Sequence, residues 1–125
     1  SSKYYESLSW PDPRKPKFYN IVLKVKTRFT KKKLLLICKN IEKSLGRKKT
    51  PINSPRICDI DIIDYNKELT KNGIILPHPR MHNRNFVLIP LFEVDRDWKH
   101  PITKQHIKTL IFSLPKKMIS SIKQI

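Results

Sequence analysis

Apolar and polar side chains alternate in two segments near the start of the chain. The period of two runs through residues 2–10 (SKYYESLSW) and 18–28 (FYNIVLKVKTR), where Ile21, Leu23 and Val25 recur at every other position. Because side chains of a strand alternate between its faces, both segments are predicted to be strands. The proline-rich stretch between them predicts a loop.

A helical period follows these two segments. Apolar residues recur every three or four positions over residues 31–45 (KKKLLLICKNIEKSL), from Leu34 to Leu45, which predicts an amphipathic helix. Thr30 offers a side-chain oxygen that can cap the start of this helix. Gly46 stands where a glycine commonly ends one.

The middle of the chain returns to strand patterns. Residues 47–56 are basic and contain two prolines, so they predict an exposed loop. Residues 57–65 (ICDIDIIDY) predict a strand, residues 66–68 a turn, and residues 69–76 (LTKNGIIL) a returning strand.

The last part of the chain favours helices. Residues 85–94 (NFVLIPLFEV) predict a helix interrupted at Pro90, and residues 103–114 (TKQHIKTLIFSL) predict a last helix. Residues 115–125 show no clear pattern and are predicted to be a basic tail without regular structure. The order β-β-α-β-β-α-α predicts an α+β fold in one domain, residues 1–125, with a mostly antiparallel sheet and helices on its faces.

Composition restricts the class of protein and its partners. The 125 residues are 38% hydrophobic and 30% charged, as in globular domains, and no apolar run has the roughly 20 residues of a membrane span. Cys38 and Cys58 have no metal-ligand spacing and are expected to be free thiols in a cytoplasmic protein. The net charge of +17 favours an anionic partner, either nucleic acid or the phosphates of a nucleotide.

Three of the ten acidic residues lie within six positions, at Asp59, Asp61 and Asp64. In a strand, Asp59 and Asp61 would point to the same face, and two such carboxylates are costly unless a cation meets them. One interpretation is a solvated sheet face. The other is a Mg²⁺ site with open positions for phosphate oxygens, with the cations of residues 47–56 close by along the chain.

Several motifs in order resemble one family. The segment SPRICDIDII (residues 54–63) resembles the signature of the 6-hydroxymethyl-7,8-dihydropterin pyrophosphokinases. FYNIVLKV, IEKSLGR and LPHPRMHNRNFVLIPLFEV resemble further motifs of the same family, in the family's order. The resemblance implies a ferredoxin-like α+β fold and transfer of pyrophosphate from ATP to the hydroxymethyl group of the pterin, with release of AMP, in folate synthesis.

The resemblance also implies a set of site residues. Asp59 and Asp61 would hold two Mg²⁺ ions, and Arg56 and Arg84 would join them in catalysis. The residues implied to bind ATP are Glu42, Lys49, Arg56, Ile62, His78 and Arg84. Those implied to bind the pterin are Ser7, Phe18, Asn20 and Phe86, where the backbone of residues 7–9 would add hydrogen bonds and Phe86 would stack on the heterocycle.

The chain departs from the family pattern in places. Lys49 replaces a frequent arginine and lacks its bidentate fork. Asn53 and Ser54 stand where the family often has an aromatic residue and a glycine. The family's first strand and long helix have no counterpart, so the chain is expected to be a fragment.

Three functions remain open at this point. The first is the pyrophosphokinase, expected to be a cytoplasmic monomer that binds ATP and the pterin but neither a membrane nor nucleic acid. The second is a basic nucleic-acid-binding module, supported by the lysine clusters but by no recognised motif. The third is an inactive remnant of the kinase fold.

Overall fold

The computed structural model describes residues 1–7, 14, 16–46 and 58–125. Within them the chain divides into two compact units. The first, here the sheet unit, contains Ser1–Lys26 and Pro79–Ile125; the second, here the middle unit, contains Thr27–His78.

The sheet unit is built on three short antiparallel strands in the order β2-β1-β3. They are β1 (Tyr5–Ser7), β2 (Phe18–Asn20) and β3 (Lys123–Gln124). In the register, Tyr5 lies opposite Asn20 on one side and opposite Gln124 on the other. The predicted fold class, α+β with an antiparallel sheet, is confirmed.

Three helices and one 3₁₀ turn complete the sheet unit. The turn is Met81–Asn83, and the helices are α2 (Asn85–Val94), α3 (Ile107–Phe112) and α4 (Lys116–Ser121), where α1 belongs to the middle unit. The core of the sheet unit has Met81, Leu88 and Ile107 fully buried together with Pro90.

Two predictions for this unit are wrong. α2 runs through Pro90 without interruption. The proline removes one backbone hydrogen bond from the helix, but its ring is buried in the apolar core, and this packing offsets the loss. Residues 115–125 are not an unstructured tail, since they form α4 and β3. These residues are held by contacts with residues far away in the sequence, which a local sequence pattern does not predict.

β2 is also shorter than its predicted segment, 18–28. The strand ends at Asn20, and Leu23 and Val25 beyond it are 58% and 62% exposed. Alternation predicts the two faces of a strand but not a neighbour to pair with. Past Asn20, Val22 and Ser2 make two hydrogen bonds: the N–H of Ser2 donates to the carbonyl of Val22, and the N–H of Val22 donates to the Ser2 hydroxyl.

The middle unit contains α1 (Lys31–Ser44), and here the prediction is confirmed. Thr30 caps the helix, its side chain accepting from the N–H of Lys33 at 3.1 Å. Leu45 closes it and Gly46 follows with φ 87°, the left-handed conformation that glycine adopts without strain.

The strands predicted for the middle unit are wrong in the described residues. Residues 58–64 form no ladder, and residues 69–76 fold back on themselves through one bridge between Thr70 and Leu76. The predicted turn is present, closed by a hydrogen bond from the N–H of Glu68 to the carbonyl of Tyr65.

Two expectations about class can be compared directly with the fold. Among the helices of the described part of the chain, none is long and apolar enough to cross a bilayer. Cys38 and Cys58 are free thiols, as predicted.

Candidate active site

One face of the sheet carries three of the four residues predicted to bind the pterin. Ser7 of β1 lies directly opposite Phe18 of β2, and Asn20 lies opposite Tyr5. Residues opposite each other in an antiparallel pair share a face, and so do alternate residues of one strand. Ser7, Phe18 and Asn20 therefore lie side by side with Tyr5.

Two polar atoms on this face lack a partner. The Ser7 hydroxyl and the Asn20 side-chain nitrogen are buried and make no hydrogen bond within the described residues. Ser7 is only 2% exposed. Buried polar groups are nearly always paired, and leaving one unpaired costs about 1–3 kcal/mol. Such atoms are suited to a ligand that brings its own donors and acceptors.

α2 is attached to the same face through Glu93. The Tyr5 hydroxyl donates to Glu93 Oε2 at 2.8 Å, and the N–H of Lys3 lies 3.1 Å from both carboxylate oxygens. The hydrogen bond from Tyr5 lowers the pKa of Glu93. Burial, the hydrogen bond to Glu93 and the charge of Glu93 together raise the pKa of Tyr5 to about 12.

Phe86 and Arg84 lie at the start of α2. The Arg84 guanidinium carbon stands 5.3 Å from the centroid of the Phe86 ring, a cation–π contact, and both residues are half-buried. This contact fixes the guanidinium beside the aromatic ring that was predicted to stack on the pterin.

A small cleft opens beside β1. It has a volume of about 200 Å³ and is lined by Glu6, Ser7, Lys17, Ser121 and Lys123. Sites for drug-sized ligands measure roughly 300–1,000 Å³, so the cleft alone is small for a ligand of that size.

The middle unit carries the predicted metal-binding carboxylates. From Cys58 to Ile62 the side chains alternate between half-buried and exposed, with Asp59 and Asp61 at the exposed positions. Within its described residues, 58–65, the predicted strand does not form, yet this alternation is the one that a strand would impose on the two aspartates. Ile62, predicted to contact ATP, is half-buried.

Glu42 anchors the segment that carries the aspartates. Its Oε2 accepts the backbone N–H of Ile60 at 2.7 Å, and the residue is only 6% exposed. The contact joins α1 to the backbone between Asp59 and Asp61. One turn earlier on α1, burial raises the pKa of the Cys38 thiol, and the charge of Glu42 adds to that rise.

His78 is attached to the same segment. Its backbone N–H donates to the carbonyl of Ile63 at 2.9 Å, two residues after Asp61. The middle unit thus joins Glu42 and His78 to the segment that carries the two aspartates through hydrogen bonds with its backbone, although Glu42 and His78 are 36 residues apart along the sequence.

The donor set fits a metal that is shared with a ligand. Within the described residues no group of three or more His, Cys, Asp or Glu comes together. Two exposed carboxylates suit Mg²⁺, which retains several water or phosphate ligands and rarely uses a cage made of protein alone. Asp59 and Asp61 would hold such an ion.

Two predicted residues cannot be placed. Arg56 and Lys49 lie outside the described residues, as do residues 8 and 9 of the predicted backbone contacts and the whole loop 47–56. Their roles stay predictions.

Sequence reasoning missed three residues that shape these surroundings: Glu93, Asn85 and Ser121. Glu93 had a signal, because it is the single charged residue of the apolar segment 85–94. Asn85 and Ser121 had none, since what distinguishes them is a contact with each other 36 residues apart.

Comparison with known proteins agrees with the resemblance. A sequence model of the 7,8-dihydro-6-hydroxymethylpterin-pyrophosphokinase family matches residues 1–96. The chain therefore belongs to this family, whose fold is ferredoxin-like.

Individual relatives bear related names. The 2-amino-4-hydroxy-6-hydroxymethyldihydropteridine pyrophosphokinase of Aquifex aeolicus is 38% identical over 108 residues, covering 86% of this chain and 68% of its own length. The enzyme of that name from Haemophilus influenzae is 36% identical over 98 residues, 78% of this chain and 61% of its own. The folic acid synthesis protein fol1 of Pneumocystis carinii is 40% identical over 104 residues, 82% of this chain but 14% of that protein.

Proposed function

We propose that this chain supplies the pyrophosphokinase activity of its family: transfer of pyrophosphate from ATP to 6-hydroxymethyl-7,8-dihydropterin, as a step of folate synthesis. The hydroxymethyl oxygen forms a bond to the β-phosphorus of ATP and loses its proton. The bond between the β-phosphorus and the oxygen of the α-phosphate breaks, and AMP leaves.

The observation that carries this proposal is the pair of polar atoms on the sheet face that have no hydrogen-bond partner among the described residues. The pterin ring has an amide-like edge with donors and acceptors, and the side chains of Ser7 and Asn20 can donate to it and accept from it. Phe18 shares the face, and Phe86 offers an aromatic ring for stacking. A flat heterocycle with a polar edge can form hydrogen bonds with Ser7 and Asn20 and can also stack on an aromatic ring.

Nucleotide binding would come mainly from the middle unit. Asp59 and Asp61 would hold two Mg²⁺ ions, which neutralise and orient the triphosphate when bound. Glu42 keeps the aspartate segment in place, and His78 lies beside it. By the resemblance, Arg56, Lys49 and Arg84 are further candidates for contacts with the phosphates, whose charge their side chains would neutralise.

We further propose that the protein is a cytoplasmic monomer with these two small-molecule substrates and no nucleic-acid or membrane partner. In this proposal the net charge of +17 attracts the phosphates of ATP rather than those of a polynucleotide.

The test is pterin-dependent release of AMP. A purified protein containing this chain is incubated with ATP, Mg²⁺ and the hydroxymethyl-dihydropterin, and nucleotides are separated by chromatography. We expect AMP in amounts equal to the pterin consumed, and none when the pterin is omitted. A folded protein that yields no AMP, but binds single-stranded nucleic acid with steep salt dependence, would overturn the proposal in favour of the basic module.

A further inference from the structure

Residues 115–125 lie beyond the part of the chain that the family model matches, yet they are built into the sheet unit. β3 pairs with β1, where Gln124 lies opposite Tyr5 and so on the face of Ser7, and the N–H of Ile125 donates to the carbonyl of Tyr4 at 3.0 Å. β1 is also the strand that carries Ser7. The C-terminal segment therefore adjoins the face assigned to the pterin.

One side chain joins the end of this segment to α2. The side-chain amide of Asn85 donates to the carbonyl of Met118 and lies 3.4 Å from the Ser121 hydroxyl. The Met118 carbonyl is among the last four of α4, which have no backbone N–H partner inside the helix, and it also accepts the Ser121 hydroxyl at 3.2 Å. Asn85 thus caps the C-terminal end of α4 from another helix.

α4 needs such a contact. It has six residues, and helices this short are marginal unless tertiary contacts hold them. The Asn85 amide provides one, since Asn85 is 6% exposed and its bond to Met118 is partly buried. Losing it would loosen α4 relative to the start of α2.

Each end of this contact adjoins a residue that was predicted to bind the pterin. Asn85 is the first residue of α2 and stands directly between Arg84 and Phe86, which are themselves in contact. Ser121, at the other end, lines the cleft together with Ser7. The Asn85 side-chain amide therefore links the residue next to Phe86 in the sequence with Ser121, which lines the cleft.

We propose that Asn85 is a positioning residue for pterin binding. Its amide ties the end of α4 to the start of α2, and so holds Phe86 and the cleft beside Ser7 in the arrangement that accepts the pterin. This inference rests on the proposed function. It assigns a role in that function to residues 115–125.

The test compares Asn85→Ala and Asn85→Asp with the exposed neighbour Asn83→Ala as the matched control. Binding of the hydroxymethyl-dihydropterin and of Mg·ATP is measured for each by calorimetry, at pH 7.5 and pH 5. Thermal unfolding is followed alongside. We expect Asn85→Ala to raise the Kd for the pterin by about 3- to 10-fold, the effect of one lost hydrogen bond. The Kd for Mg·ATP should change less than about 2-fold.

The Asn85→Asp variant separates the hydrogen bond from mere volume. At pH 7.5 its carboxylate faces the Met118 carbonyl, so the defect should exceed that of Asn85→Ala. Burial raises the pKa of the introduced carboxyl, so lowering the pH toward 5 favours the protonated form that can donate to the Met118 carbonyl, and affinity relative to the wild type should recover. Asn85→Ala should show no such recovery.

A measurement on the wild type needs no variant to fold. Hydrogen exchange of residues 116–121 should slow when the pterin binds, because ordering Phe86 and the cleft orders the capped end of α4. If exchange there is unchanged by the pterin, or both Asn85 variants bind it like the wild type, the inference is overturned while the proposed function stands. A folded wild type that binds no pterin overturns both.

Discussion

The carboxylate of Glu42 and the backbone of Ile60 are joined by a 2.7 Å hydrogen bond in the middle unit. Ile60 lies between Asp59 and Asp61, so a helix residue fixes the backbone that carries both candidate metal ligands. Glu42 was predicted to bind ATP. The contact that it makes supports an indirect role, in which it orients the aspartates.

Replacing Glu42 should therefore cost stability. In Glu42→Ala the N–H of Ile60 loses a charged acceptor, and we expect the free energy of unfolding to fall by about 1.5–3 kcal/mol. Glu42→Gln keeps an acceptor oxygen and should lose less. Urea denaturation measures both.

The matched control is Glu68→Ala. Glu68 forms an ion pair with Lys31 at 2.8 Å, but its side chain is 41% exposed, so screening should keep the loss below about 1 kcal/mol. Equal losses for Glu42→Ala and Glu68→Ala would contradict the anchoring role.

Removing one charge from the aspartate pair should stop catalysis without unfolding the protein. Asp61→Asn keeps the size of an exposed side chain and removes a metal-binding charge, so we expect kcat to fall by about 100-fold or more. The unfolding midpoint should stay unchanged. Asp97→Asn, at a side chain that is 99% exposed, should behave as the wild type. An Asp61→Asn enzyme within about 3-fold of wild-type turnover would refute the metal assignment.

Ser7 should show a conflict between stability and binding. Its buried hydroxyl has no partner within the described residues, so Ser7→Ala should leave the unliganded protein as stable as before or up to about 1 kcal/mol more stable. The same change should weaken pterin binding by about 5- to 10-fold, because it removes the hydroxyl that is proposed to form a hydrogen bond with the pterin.

Ser44→Ala is the control for this pair of measurements, since its exposed hydroxyl bonds to the carbonyl of Ile41 within α1. Calorimetry and urea denaturation report the two effects separately. A less stable Ser7→Ala protein with unchanged pterin affinity would mean that the hydroxyl serves the fold.

The Tyr5–Glu93 contact should make stability depend on pH at both extremes. The pKa of Glu93 is lowered in the folded protein, so its contribution is present above the unfolded pKa of about 4.3 and is lost as the pH falls through the folded value. The pKa of Tyr5 is raised from 10.0 to about 12, so its contribution is present below pH 10 and is lost as the pH rises toward 12.

Tyr5→Phe removes the hydrogen bond and checks this account. The gap in urea midpoint between the wild type and Tyr5→Phe should be constant from about pH 6 to 9 and shrink below about pH 4. Tyr19→Phe, at a side chain that is 64% exposed, should show no gap. A gap for Tyr5→Phe that persists unchanged at low pH would exclude Glu93 as the partner that matters.

Local signals predicted the local parts of the fold. α1 could be placed because Thr30, the apolar period and Gly46 all act within a few residues. The strand predicted at 57–65 failed because the N–H of Ile60 bonds to a helix side chain, not to a neighbouring strand. α4 was missed because its capping partner, Asn85, is 33 residues away from Met118.

The candidate site divides in the same way. The resemblance of the motifs indicated Asp59, Asp61, Asn20 and Phe86. For the two aspartates, the alternation of residues also predicted, independently of the resemblance, that both side chains point to the same face. The register of β1 and β2 places Ser7 and Asn20 on one sheet face, where their polar atoms have no partner among the described residues. One sequence does not determine this register, so the arrangement could not be predicted.

The most direct test of the central claim follows the phosphorus atoms. ATP labelled at the β-position is supplied with Mg²⁺ and the hydroxymethyl-dihydropterin to a protein containing this chain, and the products are identified by ³¹P NMR or by the label. We predict that the label appears on the pterin as a diphosphate ester and that the remaining nucleotide is AMP. Label retained in ADP, or AMP released with free pyrophosphate and unmodified pterin, would contradict the account.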